Sequence, residues 1–413
     1  MGLRFFGAAP RVPAEAEYHF LLGRYIDAAT LARASALAAR WGVHPHEVLI
    51  ANGWLDPDDY YRALAGTCDA PFKAALQPGA ATPPGGMTPR QCLTNGLIYE
   101  RTSYVMAADR LRPNALRVML ARLGRPDLAL ASPATVRESI YHHFAPIFLR
   151  SAVDALAARR PDLSARSGTA PWQRLVIAIG AAAFVGGLLI APIETIRIVS
   201  LMLAVLFVPV IGLRLIAAFG LVSGKAENRD QHAPRIPDAA LPTYTLLVPL
   251  LHEADMLRPL VYALRQLDWP AAKLDIKLIL EATDKETVAA ARALRFPGNV
   301  EIVVVPDGAP RTKPKALNYA LPLARGEYVA IYDAEDRPDR DQLRRAFHAF
   351  QSGPPNLATV QARLNIYNAQ DSWLTRQFTL EYSALFDGLL PALDRLQLPI
   401  PLGGTSNHFR GIA

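Results

Sequence analysis

An α/β fold over residues 241–413, preceded by a transmembrane helical hairpin over 172–222 and a small α+β module over 1–165, is what this sequence predicts. Three observations carry the prediction. Apolar runs alternate with helical stretches after residue 241, two long segments before it hold almost no charge, and the chain upstream mixes short extended runs with helices. At 413 residues, 51% hydrophobic and 20% charged, the composition is that of a folded chain with room for two or three domains. The formal charge of +7 favours anionic partners, and a membrane surface, a nucleotide and an RNA all meet that description. Cys68 and Cys92 have no CxxC spacing, which speaks against a disulfide framework or a structural zinc.

The N-terminal MGLRFFGAAPRVPAEAEYHF lacks the continuous apolar core of a signal peptide, and Phe6 stands where a myristoylation pattern wants Ser or Thr. Further on, Gly53 separates two helical patches, and Asp56 followed by Pro57 reads as an N-cap and first helical position. PGAATPPGGMTP at 78–89 is a loop, and SYVMAADR and DLALASPATVRESIYHHF each place a short extended run next to a helix. His44 and His46 have metal-like spacing but no further ligand, so they read as surface residues.

LVIAIGAAAFVGGLLIAP at 175–192 and TIRIVSLMLAVLFVPVIGLRLIAAFGLV at 195–222 each approach the roughly 20 apolar residues a spanning helix needs. A buried helix pair in a soluble core is the alternative, but so long a stretch without a polar face is unusual there. Arg166 and Arg174 precede the pair, Lys225, Arg229 and Arg235 follow it, and only Glu194 and Arg197 mark the turn. That asymmetry puts both flanks on the cytoplasmic side of an inner membrane, with Arg214 snorkelling or partnered near that end.

From 241 onward, YTLLVPL, DIKLILEA, VEIVVVP and YVAIYDAED alternate with ADMLRPLVYALRQL, KETVAAARAL and PKALNYALPLA. Continuous apolar strands with helices between them specify a parallel sheet covered on both faces, whose ligands bind at the carboxyl ends of the strands. Those ends hold His252 and Glu253, then Glu281 and Asp284, then Asp307 with Lys313, then Asp333, Glu335 and Asp336. A row of carboxylates with a lysine suits a divalent cation carrying a diphosphate. There is neither a GxxxxGK[ST] loop nor a GxGxxG after the first strand.

The ordered stretches LLVPLLHEAD, LILEATDKET, RTKPKALNYAL, YVAIYDAEDRPDRDQL, ATVQARLNIYN and PLGGTSNHFR resemble those of membrane-attached family 2 glycosyltransferases of the cellulose-synthase and exopolysaccharide type. The resemblance implies a Rossmann-like GT-A fold over 241–413 and transfer of a hexose, with inversion, from a nucleoside-diphosphate sugar, UDP-linked by expectation. Acceptors would be a glycan or a lipid-linked molecule, the cofactor Mg²⁺ or Mn²⁺, and no nucleic acid is expected as a partner. Pro249, His252 and Glu253 would line the nucleotide, with Glu281 or Asp284 near the base. Lys313 would face the diphosphate while Asn318 braces its loop. Asp333 and Glu335 match the family's D-x-D positions, one toward ribose and metal and the other on the metal, with Glu in place of the second Asp. In GGTSNHFR, the segment from Gly403 holding Thr405, His408 and Arg410 would lie on the acceptor side.

The family's T-E-D motif, whose aspartate is the general base, and its Q-x-x-R-W motif are not found here, so no catalytic base is identified. The expectation is an N-terminal fragment of a longer enzyme, with a truncated gene product or a nucleotide-binding remnant as alternatives. A catalytically inactive membrane adaptor and a soluble nucleotidyltransferase are the rival functional readings. RWGVHPHEVLIANGWLDPDDYYRALAGTCDAPF resembles the N-terminal domain of type II secretion ATPases, some of which bind cyclic di-GMP; Arg40 and Gly42 would be its first contacts, with a packing module as the alternative. Trp373, Phe378, Tyr382 and Phe386 read as the buried side of a helix, with sugar stacking open for one of them.

Overall fold

The computed structural model describes residues 16–77, 81–108, 111–124, 127–222 and 235–411. The N-terminal stretch through residue 15, with Phe6 of the myristoylation pattern, the start of the Pro-Gly loop at 78–80, and the basic flank residues Lys225 and Arg229 lie outside the described residues. The chain divides into two compact units: residues 1–153, 234–360 and 408–413 form the first, and 154–233 with 361–407 the second. In this division the N-terminal region and the α/β region fall in one unit.

The first unit begins with α1 (Ala28–Trp41), α2 (Pro45–Ala51) and α3 (Pro57–Thr67). Asp27 and Asp56 cap α1 and α3 by accepting from the N–H groups of Thr30 (2.7 Å) and Asp58 (2.9 Å), which satisfies donors that a helix start otherwise leaves open. A sheet of β1 (Ala81–Thr82), β2 (Leu97–Glu100), β3 (Ser103–Ala107) and β4 (Leu128–Ala131) follows, interleaved with α4 (Pro89–Asn95) and α5 (Pro113–Leu123) and left by α6 (Pro133–Arg159). The first three strands are antiparallel neighbours and β4 runs parallel to β3. His46, expected at the surface, is buried: its ring stacks on Tyr60 at 4.7 Å and its Nδ1 lies 3.0 Å from the Tyr18 hydroxyl.

Beyond α7 (Pro171–Ile190) and α8 (Pro192–Val222) come β5 (Tyr244–Leu250), α9 (Leu257–Arg265), β6 (Leu274–Glu281), α10 (Lys285–Ala293), β7 (Val300–Val305), α11 (Lys313–Ala320), β8 (Tyr328–Ile331) and α12 (Gln342–Ser352). With β9 (Thr359–Gln361) and β10 (Asn407–Arg410) the strands form a sheet in the order β7-β6-β5-β8-β10-β9. β5 pairs in parallel with both β6 and β8, and β6 with β7, as the apolar runs predict. Side chains alternate across a strand, and the two cores follow: Leu246 and Val248 pack with α9 and α12, Leu247 with α11 and α6. The second face is thus covered partly by α6, through Tyr141, Phe144 and Phe148, and the Tyr141 hydroxyl donates to the Tyr319 carbonyl at 3.1 Å. Gly326 is required where it stands, since a Cβ there would strike the backbone of Thr243, Thr245 and Tyr328.

On the α6 side, β6 buries charge. Lys277 lies 2.9 Å from Asp275 and 2.5 Å from Glu301 of β7; Arg137 of α6 meets Glu301 at 3.1 Å, and Arg325 meets Asp275 at 2.9 Å. Burial alone would raise both carboxyls, but the surrounding cations overcome it: Arg137 and Lys277 hold Glu301 down to about 2, and Arg325 and Lys277 hold Asp275 well below the usual carboxylate range.

The second unit contains α7 and α8, both long and apolar enough to cross a membrane at 20 residues (Pro171–Ile190) and 29 residues (Pro192–Gly220). Pro192 breaks the helix between them, and Glu194 and Arg197 form a 2.9 Å ion pair in the first turn of α8. The same unit holds α13 (Trp373–Ser383), a π-helical turn at Ala384–Leu389 and α14 (Leu390–Arg395). Phe386, Leu390 and Leu393 pack with Leu213 of α8. The expectation that Trp373 and Phe378 lie on a buried face is corrected: they are 71% and 45% exposed, and only Tyr382 and Phe386 turn inward.

Replacing Lys277 with Met is expected to cost about 3–5 kcal/mol, because Asp275 and Glu301 lose their shared cation while staying buried; thermal melting measures it. Both carboxyls titrate below their unfolded values, so the stability they contribute is complete above about pH 4.5 and is lost as the pH falls toward about 2 for Glu301. An acid titration of the melting temperature follows that loss.

Candidate functional site

Parallel pairing brings the carboxyl ends of β5, β6 and β8 to one edge of the sheet, and the residues after those strands make the site. After β5, His252 adopts a left-handed backbone (φ 59°), which a β-carbon disfavours. Asp284 restrains that turn by accepting from the His252 N–H at 2.6 Å, and Thr287 accepts from the Glu253 N–H at 3.2 Å. Pro249 sits one residue before the end of β5, in register with Ile279.

After β8, the chain folds into a tight turn in which Asp336 accepts from the Asp333 N–H at 2.8 Å and donates its own N–H to the Asp333 carbonyl at 3.1 Å. The Lys313 ammonium, at the start of α11, contacts the Asp333 carboxylate. Glu253 shares this field: partial burial, then the charges of Glu335 and Asp333, raise its carboxyl, against a hydrogen bond from the Leu251 backbone and the attraction of Lys313. Lys313, Asp333, Glu335 and Glu253 are therefore brought into electrostatic reach of one another. Among the described residues, no three His, Cys, Asp or Glu side chains form a ready-made metal cluster.

Other sequence-derived residues have structural duties. Glu281 receives a 3.0 Å ion pair from Lys315, which is buried and also donates to the Gly308 carbonyl at 3.1 Å. Lys315 was missed as a site-supporting residue; its signal is the second lysine of RTKPK, two positions after Lys313 on the opposite side of the helix start. Asp284 caps α10, accepting from the Thr287 N–H at 3.1 Å. Asn318 donates to the Ala152 carbonyl of α6 at 3.2 Å, and so braces that helix and not the Lys313 loop.

Two acceptor-side expectations are corrected. His408 is fully buried with its Nδ1 2.7 Å from the Tyr244 hydroxyl, and burial lowers its imidazole to about 4, so it presents no cation to a ligand. Arg410 donates to the carbonyls of Pro355 and Phe350, both at 2.8 Å, and lies over the Phe350 ring, where it ties the edge of the sheet to α12. Thr405 falls in the second unit, in the turn closed by the Asn407 side chain on the Gly403 carbonyl at 2.6 Å. At the N-terminal module, Arg40 pairs with Asp238 at 3.0 Å, and Gly42 packs so closely on Ala239 that an added Cβ would meet it at 3.3 Å. Both residues expected to meet a cyclic dinucleotide are thus engaged with the segment leading to β5.

A parallel sheet with acidic and basic groups gathered at its carboxyl edge is a frame on which many ligand sites are built. Residues 245–412 match the family model "Glycosyl transferase family 2", which supports a GT-A-type glycosyltransferase domain over this region. Among curated relatives, glucomannan 4-beta-mannosyltransferase 1 of Oryza sativa subsp. japonica is 28% identical over 158 residues, 36% of this chain and 30% of its own length. Beta-monoglucosyldiacylglycerol synthase of Nostoc sp. is 27% identical over 156 residues, 38% of this chain and 33% of its own. The chain thus spans about a third of the length of the curated relatives it matches. Among solved structures, a mannosyltransferase from Pyrobaculum calidifontis in complex with GDP-Man and Mn²⁺ aligns at 25% identity with a TM-score of 0.30, covering 47% of this chain and 61% of that one.

Asp284→Ala removes a helix cap and the restraint on His252, and is expected to lower stability by about 1–2 kcal/mol, while Asp284→Asn keeps most of it. Melting curves of the two variants test this. A drop in nucleotide affinity with unchanged melting would instead make Asp284 a ligand contact.

Proposed function

We propose that this chain serves a metal-dependent, inverting glycosyltransferase reaction that moves a hexose from a nucleoside-diphosphate sugar, UDP-linked, to a glycan or lipid-linked acceptor at a bacterial inner membrane. The observation that carries the reading is the Lys313 ammonium on Asp333, with Glu253 and Glu335 in the same field, at the carboxyl edge of a parallel sheet. The family match and the sugar-transferase names of the relatives support the reaction class.

The donor set fits Mg²⁺ or Mn²⁺. Such ions are commonly held by one or two carboxylates together with substrate phosphates, which is what Asp333 and Glu335 supply without a third protein ligand. Burial, then the charges of Glu335 and Asp333, raise Glu253, and a bound cation would offset the repulsive part. Bound there, the ion would neutralise the diphosphate as it leaves. Lys313 would exchange its contact with Asp333 for the departing phosphate oxygens, where negative charge develops. Thr287 and Asp284 hold the 252–253 backbone in the shape that keeps Glu253 beside this edge. A base must lie within hydrogen-bond reach of the acceptor hydroxyl; none of these residues is assigned that role. The hairpin α7–α8 would anchor the enzyme, with both flanks cytoplasmic as their Arg and Lys content favours.

Calorimetric titration of UDP into the detergent-solubilised chain is expected to give an affinity that rises with Mn²⁺ and falls back with a chelator. Asp333→Asn and Glu335→Gln should each abolish the Mn²⁺-dependent gain, and Lys313→Met should weaken binding about 10- to 100-fold, the worth of a charge-assisted hydrogen bond. An undiminished Mn²⁺ effect in Asp333→Asn would sink the assignment. Nucleotide binding without release of diphosphate from any nucleotide sugar would favour the adaptor reading.

A further inference from the structure

We propose that the cavity lined by the N-terminal helices, α6 and β7 binds a neutral saccharide, at a site separate from the carboxyl edge of the sheet. None of Glu253, Lys313, Asp333 or Glu335 lines this cavity. Thr243, Asn299 and Arg325 do, and they stand just before β5, β7 and β8, at the amino ends of those strands. The proposal therefore stands whether or not the donor-site reading does.

The cavity has a volume of about 1020 Å³, room for a ligand of two or more rings. Its walls all belong to the first unit: α2 and α3, the first turns of α6, the free edge of β7, and the segment from Arg292 to Asn299 that leads into β7. β7 ends the sheet, so no further strand covers that edge. Ala134, Glu138 and Arg292 among the lining residues are exposed, which opens the cavity to solvent. Gly298 joins its two sides: its N–H donates to the Ile50 carbonyl of α2 at 3.1 Å, and a Cβ there would strike the Ile50 side chain.

The ligand class follows from which lining groups are unspent. Asn299 is 6% exposed; its Nδ2 donates to the Ala271 carbonyl at 3.2 Å, while its Oδ1 is buried with no hydrogen-bond partner among the described residues. A buried acceptor left so is costly and calls for a donor. Glu138 and Arg292 make no ion pair with any described residue, and Arg137 spends only its Nε on the two Glu301 oxygens, both at 3.1 Å. The unspent charges therefore cancel, one carboxylate against one guanidinium, with Arg137 already balanced by Glu301. A phosphate or a nucleotide would meet Glu138 and Glu301 and bring no donor to Asn299. An amine would meet Arg137 and Arg292, and an apolar ligand would leave the Asn299 oxygen bare. A hydroxyl both donates and accepts, so a neutral polyol can give protons to Glu138 and Asn299 while accepting from Arg137 and Arg292. Tyr61 and Phe296 add apolar ring surface for the C–H faces of a sugar.

The test uses the full chain in a detergent without a sugar headgroup, with cellotriose and mannotriose as probes and glucose 6-phosphate as the charged control. Calorimetric titration up to about 10 mM is expected to show saturable trisaccharide binding that persists in the presence of UDP with Mn²⁺ and in Asp333→Asn. Glu138→Ala and Arg292→Ala change exposed residues and should leave the melting temperature of the free chain unaltered. Each should weaken trisaccharide binding at least about 10-fold, the worth of one hydrogen bond to a charged group. Ala134→Trp, which fills the cavity from its exposed side, should abolish binding. A saturating trisaccharide should also raise the melting temperature of the parent chain and leave that of Ala134→Trp where it was, because the ligand bridges α6 and β7 to the N-terminal helices. No saturable binding of either trisaccharide would overturn the proposal. So would binding that UDP with Mn²⁺ displaces and Ala134→Trp spares, since the sugar would then sit at the carboxyl edge. Tighter binding of glucose 6-phosphate than of both trisaccharides would overturn the neutral class. The Mn²⁺-dependent affinity for UDP is read separately, so a failure here and a failure of the donor site are told apart.

Discussion

Two opposite charges, Asp275 and Lys277, stand on a strand buried on both faces, and the first unit is organised around satisfying them. Taking such groups out of water costs several kcal/mol each unless every charge finds partners in good geometry. Lys277 is shared between Asp275 and Glu301, Arg137 reaches Glu301 from α6, and Thr245 and the Arg325 backbone donate to Asp275 at 2.9 and 3.1 Å. Arg325 thereby fixes the loop between α11 and β8, and Gly326 next to it lies against β5, so that β8 starts in a set register and delivers Asp333 to the sheet edge. The same network explains why the N-terminal region is not a loose appendage. Removing α6 would leave Glu301 with one cation fewer and expose the face of the sheet that Tyr141 and Phe148 cover.

The second unit poses the opposite problem, apolar surface left exposed among the described residues. Burying a large aliphatic side chain is worth about 1.5–3 kcal/mol, so the exposed rows on α7 and α8 are a large unmet driving force in water. A bilayer, as proposed above for α7 and α8, would meet it.

Much of the α/β core was legible because its signals are local. The strands near 244, 275, 300 and 328 stand where continuous apolar runs put them, and the polar residues that follow do gather at one edge. The capped start of α3 was likewise carried by neighbouring residues, Asp56 with Pro57. What failed depended on distant partners or on the solvent. His408 looked like a ligand group until Tyr244, 164 residues earlier, supplied its hydrogen bond inside the core. Arg410 and Asn318 lost their assigned roles to the carbonyls of Phe350 and Ala152. Asp275 and Lys277 gave no warning of their network, because Glu301 and Arg137 come from other elements. Trp373 and Phe378 were misplaced for a different reason: an apolar residue has the same letter whether it turns toward a core or stays exposed.

At the candidate site the structure builds two lysine–carboxylate pairs from neighbouring positions of one helix start, and their surroundings separate their roles. Lys315 with Glu281 is buried, and its ammonium is also held by the Gly308 carbonyl; breaking it would strand a charge in a low dielectric, so it cannot change partners cheaply. Lys313 with Asp333 is about one-third exposed on both sides, where an ion pair is worth at most about 1 kcal/mol. Water or a phosphate can replace either half. The buried pair therefore sets where α11 begins and the open one remains available for exchange, which is the property a residue needs if it is to meet a diphosphate only when a donor arrives. Burial and then the like charge of Glu335 both raise Glu253 at this edge, and a cation entering there would offset the second.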